Sequence, residues 1–151
     1  MYSARAMSGF DGDSAGKPAA DPSEAEGLHA QGLALLAARD FAKSADAQRR
    51  CLALDPAHAR AHWALGAALH AERRHDAAAH AYRAAIRADP SFAAAHWDLG
   101  AALVEQGSPE RAAEGHAALG EALRLEPTFL TAAARPLFAE ISQSLATLAE
   151  S

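Results

Sequence analysis

The sequence predicts an all-α fold of stacked helical hairpins, on three observations. Half of the 151 residues are apolar, most of those are alanine, and aromatic residues are only 6%. Alanine loses no side-chain entropy in a helix, so this composition favours helix over strand. The second observation is a period of 34 residues, kept by Gly32, Gly66 and Gly100 and by Leu35, Leu69 and Leu103. The third is the punctuation of each period, with a break at its middle and a proline at its end, Pro56 after Asp55 and Pro90 after Asp89.

Taken in order, residues 1–22 are rich in Gly, Ser, Ala and Asp, have little to bury, and read as a disordered tail. Order is expected to begin at Ser23, which forms a capping-box pattern with Glu26. The domain then runs over 23–151, with hairpins at about 25–58, 59–92 and 93–127, each made of two helices of about fourteen residues. The mid-hairpin breaks are ARDF at 38–41, ERRH at 72–75 and QGSPE at 106–110. In the third, Gly107 is a helix stop, Ser108 an N-cap and Pro109 the first helical residue. Asp40 is an N-cap for the first, and the second rests on the period alone.

The third unit closes at Pro127, three residues later than the period requires at Arg124. Its second helix is therefore either longer or bulged near Gly115 or Gly120. After it, Thr128 is an N-cap candidate for a closing helix over 128–150, where Leu137, Phe138, Ile141, Leu145 and Leu148 keep helical spacing and Pro136 kinks or restarts it. Such a helix covers the open apolar face of the last hairpin.

Small and large residues recur at fixed places: Leu65, Gly66, Leu69, Ala78, Tyr82, Ala85 and Pro90 in the second unit, Leu99, Gly100, Leu103 and Ala112 in the third. This pattern resembles the tetratricopeptide repeat, a 34-residue helix-turn-helix that stacks into a right-handed superhelix. The first unit keeps Gly32, Leu35, Phe41, Cys51 and Pro56, but has Gln31, Ser44 and Gln48 at places that are apolar or small in the others. It reads as a solvent-worn end repeat.

The words AHWALGAAL at 61–69 and AHWDLGAAL at 95–103 hold both tryptophans of the chain. At about 100° per residue, Trp63 and Trp97 fall on the shoulder of their helices, roughly 110° from the packing face. The resemblance implies that this side lines a concave groove. The expected lining is His29, Leu33, Leu36, Trp63, Ala67, His70, Trp97, Ala101 and Val104, with Glu26, Arg60, Asp98 and Glu105 along the rim. Tryptophans on adjacent first helices would stand about 10 Å apart. Against this stand rings that pack into the core, or a groove filled by the tail with Phe10 or by the closing helix. Family members that clamp a C-terminal carboxylate do so with lysine, asparagine and arginine; those places here hold His29, Leu33, Ala64, Ala94 and Asp98, so that role is not expected.

Catalysis and cofactors are not expected, because no phosphate-binding glycine loop, nucleophile elbow or paired carboxylates occur. His58 with His62, and His75 with His80, have spacings that invite a metal, yet no acidic third ligand matches them, so no metal is expected. Asp76 with His80 reads as a surface contact. Arg49, Arg50, Arg73, Arg74, Arg83 and Arg87 lie on or near second helices among acids, as a solvated face. The net charge of −5 disfavours nucleic acid. The lack of an apolar span or secretory run, and the single Cys51, indicate a cytoplasmic protein. The expected function is non-catalytic binding of an extended peptide or helix of another protein in the groove. The alternatives are a class II chaperone of a bacterial secretion system, and a structural module that associates with its own copies.

Overall fold

A computed structural model describes residues 21–129 together with Gln143, Ala146, Thr147 and Ala149. Among the described residues there are six α-helices and no strand: α1 Pro22–Ala37, α2 Phe41–Leu54, α3 Ala59–Ala71, α4 His75–Ala88, α5 Ala93–Glu105 and α6 Pro109–Leu125, then one 3-10 turn, Pro127–Phe129. They pair as hairpins α1·α2, α3·α4 and α5·α6, and each hairpin packs on the next through α2·α3 and α4·α5. The first helices also meet one another, α1 with α3 and α3 with α5, and so form one continuous face. Residues 1–20 of the expected tail and most of the closing helix, including Pro136, lie outside the described residues, and the last two residues of that expected tail, Asp21 and Pro22, are the cap and first residue of α1. Gln143, Ala146, Thr147 and Ala149 are helical, and Thr128 sits inside the 3-10 turn with its hydroxyl bonded to Glu126.

Local chemistry explains the boundaries. α1 starts one residue before Ser23, because Asp21 caps it by accepting from the Ser23 N–H at 2.9 Å and Pro22 takes the first turn. That arrangement replaces the expected Ser23/Glu26 box. Asp40 and Ser108 cap α2 and α6 as expected, accepting from Lys43 and Arg111 N–H. The Asp-Pro pairs make the turns between hairpins: Asp55 accepts from the Ala57 N–H and Asp89 from the Ser91 N–H. His62 and His96 then donate from Nε2 to the Pro56 and Pro90 carbonyls at 2.8 and 2.9 Å.

Each hairpin turn passes through one left-handed residue at the same place in the period. These are Arg39 (φ 63°), Arg73 (φ 66°) and Gly107 (φ 72°). Only the last was marked by a glycine, so two of the three turns hold an arginine where a Cβ is disfavoured.

The core is thin and rests on close approach. A Cβ on Gly66 would lie 2.6 Å from the Tyr82 ring, and one on Gly100 would lie 2.7 Å from the Gly115 carbonyl oxygen. Gly115, not Ala112, therefore supplies the small contact in the third hairpin. Leu119 and Ala122 follow it into the places of Tyr82 and Ala85. The three extra residues thus form an additional turn at the start of α6, a 17-residue helix without a bulge, against 14 residues in α2 and α4.

The first hairpin is not solvent-worn. Ser44 and Gln48 are fully buried and their polar atoms are matched. Ser44 Oγ donates to the Gly32 carbonyl at 2.8 Å, Gln48 Nε2 donates to the His29 carbonyl at 3.2 Å, and His29 Nδ1 donates to Gln48 Oε1 at 3.0 Å. Polar residues at apolar places mark surface only when they lack partners, and these have them.

Candidate functional site: the face of the first helices

The face shared by α1, α3 and α5 carries the residues expected to line a groove, but it does not present them equally. His29 is only 6% exposed. It turns towards α2, where its Nδ1 bonds Gln48, and its ring lies tilted 4.8 Å from that of His58, so it leaves the groove for the core. Leu33 is the exposed large hydrophobic side chain among the described residues, while Leu36 and Ala67 beside it are half-buried. Arg60 is exposed. Glu26 meets His58 Nε2 at 3.0 Å; His58 Nδ1 accepts from the Ala61 N–H, so Nε2 carries the proton donated to the carboxylate.

Between the second and third hairpins the face is stitched by its own side chains. Trp63 Nε1–H donates to Asp98 Oδ2 at 2.6 Å, and its ring lies 5.8 Å from Phe92. One heptad further along the same faces, His70 Nε2 stands 3.2 Å from Glu105 Oε2. Residues seven apart project from one side of a helix, so α3 and α5 are joined by two parallel bridges, separated by two turns. Burial pushes the Asp98 carboxyl above the usual carboxylate range, with the Trp63 hydrogen bond and nearby His70 opposing the shift. Burial likewise raises the Tyr82 phenol, with Asp98 and Glu105 adding to the effect.

Trp97 also has a partner from its own chain. The Phe129 ring stacks on it with centroids 5.5 Å apart and planes 11° from parallel. Ala101 and Val104 beside it are half-buried. Of the two tryptophans, one is tied to a carboxylate of the next hairpin and the other is covered by the segment that follows α6. The open apolar part of the face lies towards Leu33, Leu36 and Ala67.

Neither histidine pair singled out by spacing comes together as a metal site. His58 is a helix cap and His62 is bound to a carbonyl. Among the described residues, those that do converge are His70, His75 and Glu105, with one donor atom of each within 4.8 Å of the others. The local sequence hides this trio, because Glu105 is on the next hairpin. Only the period, which puts position 105 one place beyond the equivalent of His70, could have brought it forward.

A family model described as tetratricopeptide repeat matches residues 29–91 and again 71–122. The chain belongs to the tetratricopeptide repeat family. Solved structures agree with that fold. The first tetratricopeptide domain of Spaghetti (RPAP3), bound to the HSP90 peptide SRMEEVD, is 21% identical with a TM-score of 0.73, covering 86% of this chain and 99% of that one. MamA is 28% identical over 72% of this chain and 61% of its own, with a TM-score of 0.64. The Yersinia enterocolitica type III secretion chaperone SycD, in complex with a peptide of the translocator YopD, is 20% identical with a TM-score of 0.64, covering 81% and 89%. No curated protein sequence matches the chain. As a tetratricopeptide protein it has the hairpin superhelix expected from its period, and no described helix is long and apolar enough to cross a membrane.

Proposed function

We propose that this tetratricopeptide domain is a non-catalytic interaction module that receives an extended or helical segment of another protein along its first-helix face. The observation that carries the proposal is the placement of Leu33. It is a large apolar side chain left exposed on a face whose other large side chains, Trp63 and Trp97, are engaged by the chain itself. A partner would bury Leu33 with Leu36 and Ala67 and meet Arg60 at the edge, while Trp63, His70, Asp98 and Glu105 hold the shape of the floor. Solved relatives with this fold hold peptides of HSP90 and of YopD, which supports the class of ligand. The carboxylate-clamping mode remains disfavoured, because Ala64 is fully buried and His29 is turned inward.

The test compares proteins captured by the immobilised wild-type domain, by Leu33→Asp and by Arg87→Glu on a second helix. A protein kept by the wild type and Arg87→Glu but lost from Leu33→Asp supports the reading. Equal capture by all three moves the interface off this face. Light scattering over a concentration series addresses self-association: a dimer dissociated by Leu33→Asp would make a second copy of the chain the occupant.

A further inference from the structure

We propose that His70, His75 and Glu105 bind a borderline divalent cation, zinc above all, and that this ion fastens the second hairpin to the third. The ligands come from three helices: His70 from the last turn of α3, His75 from the first residue of α4, and Glu105 from the end of α5. Imidazole nitrogen with one carboxylate oxygen is a donor set that suits zinc, with a fourth position left to water. In a tetrahedral site with ligand distances of about 2.0–2.1 Å, donor atoms stand about 3.3 Å apart. His70 Nε2 and Glu105 Oε2 are already 3.2 Å apart, and all three donors lie within 4.8 Å. The His75 ring therefore has about 1.5 Å to close, within the reach of side-chain rotation.

A second observation sets the trio apart from ordinary packing. Nδ1 of His70 and Nδ1 of His75 are both buried without a hydrogen-bond partner, although the rings touch edge to face at 5.2 Å. The amide of Gln106, next in sequence to Glu105, is buried and unbonded at both its oxygen and its nitrogen. Unmatched polar atoms on three adjoining side chains are unusual in a protein interior. A cation on His70 Nε2 and Glu105 Oε2 would not itself reach Nδ1 of His70; that nitrogen would take a second polar partner, as metal-bound imidazoles do, and the unbonded amide of Gln106 is one the chain offers next to Glu105. His75 and Gln106 also line an open cavity of about 640 Å³, which provides a path for the ion. Of the three arginines that also line that cavity, Arg73, Arg74 and Arg111, two are drawn to carboxylates, Arg111 onto Asp76 at 2.6 Å and Arg74 towards Glu72 at 3.8 Å.

The mechanical consequence follows from position. The trio sits two turns from the Trp63–Asp98 bridge on the same pair of helices, so an ion there would fix the spacing of α3 and α5 and with it the curvature of the groove floor. The test uses the full chain, stripped with a chelator and titrated with zinc chloride alone, by calorimetry and by thermal melting. The expected result is one zinc per chain and a raised melting midpoint, with affinity about tenfold or more weaker in both Glu105→Gln and His75→Gln. His80→Gln, outside the trio, should bind as the wild type does. Circular dichroism establishes that each variant is folded, and cobalt in place of zinc should give the visible absorption of a tetrahedral site in the wild type only. No binding by the wild type, or zinc binding unchanged in both trio variants, would overturn the proposal. If one trio variant fails to fold, the other decides.

Discussion

Arg39 and Arg73 hold backbone conformations that glycine holds in the third turn, and the energetic consequence can be measured by a single exchange. At φ 63° and 66° a Cβ crowds the following carbonyl, at roughly 1–2 kcal/mol per residue. Glycine escapes that strain but loses more backbone entropy on folding, about 0.5–1 kcal/mol. The net gain from Arg→Gly should thus be about 0.5–1 kcal/mol at each site. Both side chains are exposed, yet a cation just past the end of a helix can contribute about 0.3–1 kcal/mol through the helix dipole. The alanine variant removes this ambiguity, because it deletes the charge and keeps the Cβ. We therefore expect Arg39→Gly to be more stable than Arg39→Ala by about 1 kcal/mol, and the same for Arg73. The two turns belong to different hairpins, so the gains should add. At about 4 °C per kcal/mol, between the conversions for 100- and 150-residue domains, the double glycine variant should melt clearly above the double alanine variant. Gly107→Ala is the reciprocal, with a loss of about 1 kcal/mol or more. Urea unfolding of the seven variants and the wild type gives the free energies. Glycine equal to or below alanine at 39 and 73, or a neutral Gly107→Ala, would refute the strain argument.

Gly66→Ala should destabilise by about 1–3 kcal/mol, since the new methyl meets the Tyr82 ring. Gly100→Ala should be worse, because its methyl also meets the Gly115 carbonyl, which cannot rotate away; equal losses by thermal melting would show that the helix pair slides freely. Asp98→Ala should lose about 1–3 kcal/mol by leaving the Trp63 N–H unpaired, whereas Asp98→Asn keeps an acceptor and should not. Because the Asp98 carboxyl is raised in the fold, its favourable contribution is complete below the unfolded carboxylate value of about 3.9 and is lost as pH rises through its folded value. Wild-type stability should accordingly gain on that of Asp98→Asn as pH falls from 7 towards 4, measured by urea midpoints; a change of the opposite sign would exclude a buried, raised carboxyl. In a Tyr2→Phe background, which leaves Tyr82 as the one tyrosine of the chain, alkaline difference absorbance should show the phenol ionising only above the ordinary value of about 10, together with loss of helicity. A phenol that titrates near 10 while the helices persist would place Tyr82 in solvent.

The hairpins were legible because their cause is local and repeated: Gly66 and Gly100 with the Asp-Pro turns appear at fixed distances in the sequence itself. What escaped was decided by contacts between distant positions. Gln48 has the side chain of a surface residue, and nothing next to it in sequence reveals that His29, nineteen residues earlier, supplies both an acceptor and a donor for its amide. His29 was accordingly assigned to the groove when its ring is part of that buried network. Ala112 was assigned the small contact by counting 34 from Ala78, but the extra turn at the start of α6 moves the role to Gly115, which a count from Pro127 backwards would have found.

The same reasoning bears on the tryptophans. Their position off the packing face is compatible with lining a groove or with packing on neighbours, and an aromatic ring at a helix shoulder is within reach of whatever the next repeat places opposite it. For Trp63 that is Asp98, the residue by which the second copy of the shared word differs from the first. In the equivalent place of the first copy stands Ala64, which offers no such acceptor. The single difference between AHWALGAAL and AHWDLGAAL is therefore the link between them. Trp63→Ala should consequently act first on stability, by exposing a buried carboxylate to an unfilled space, and only through that on binding. A Trp63→Ala domain that melts like the wild type but loses its partner would return Trp63 to the binding surface.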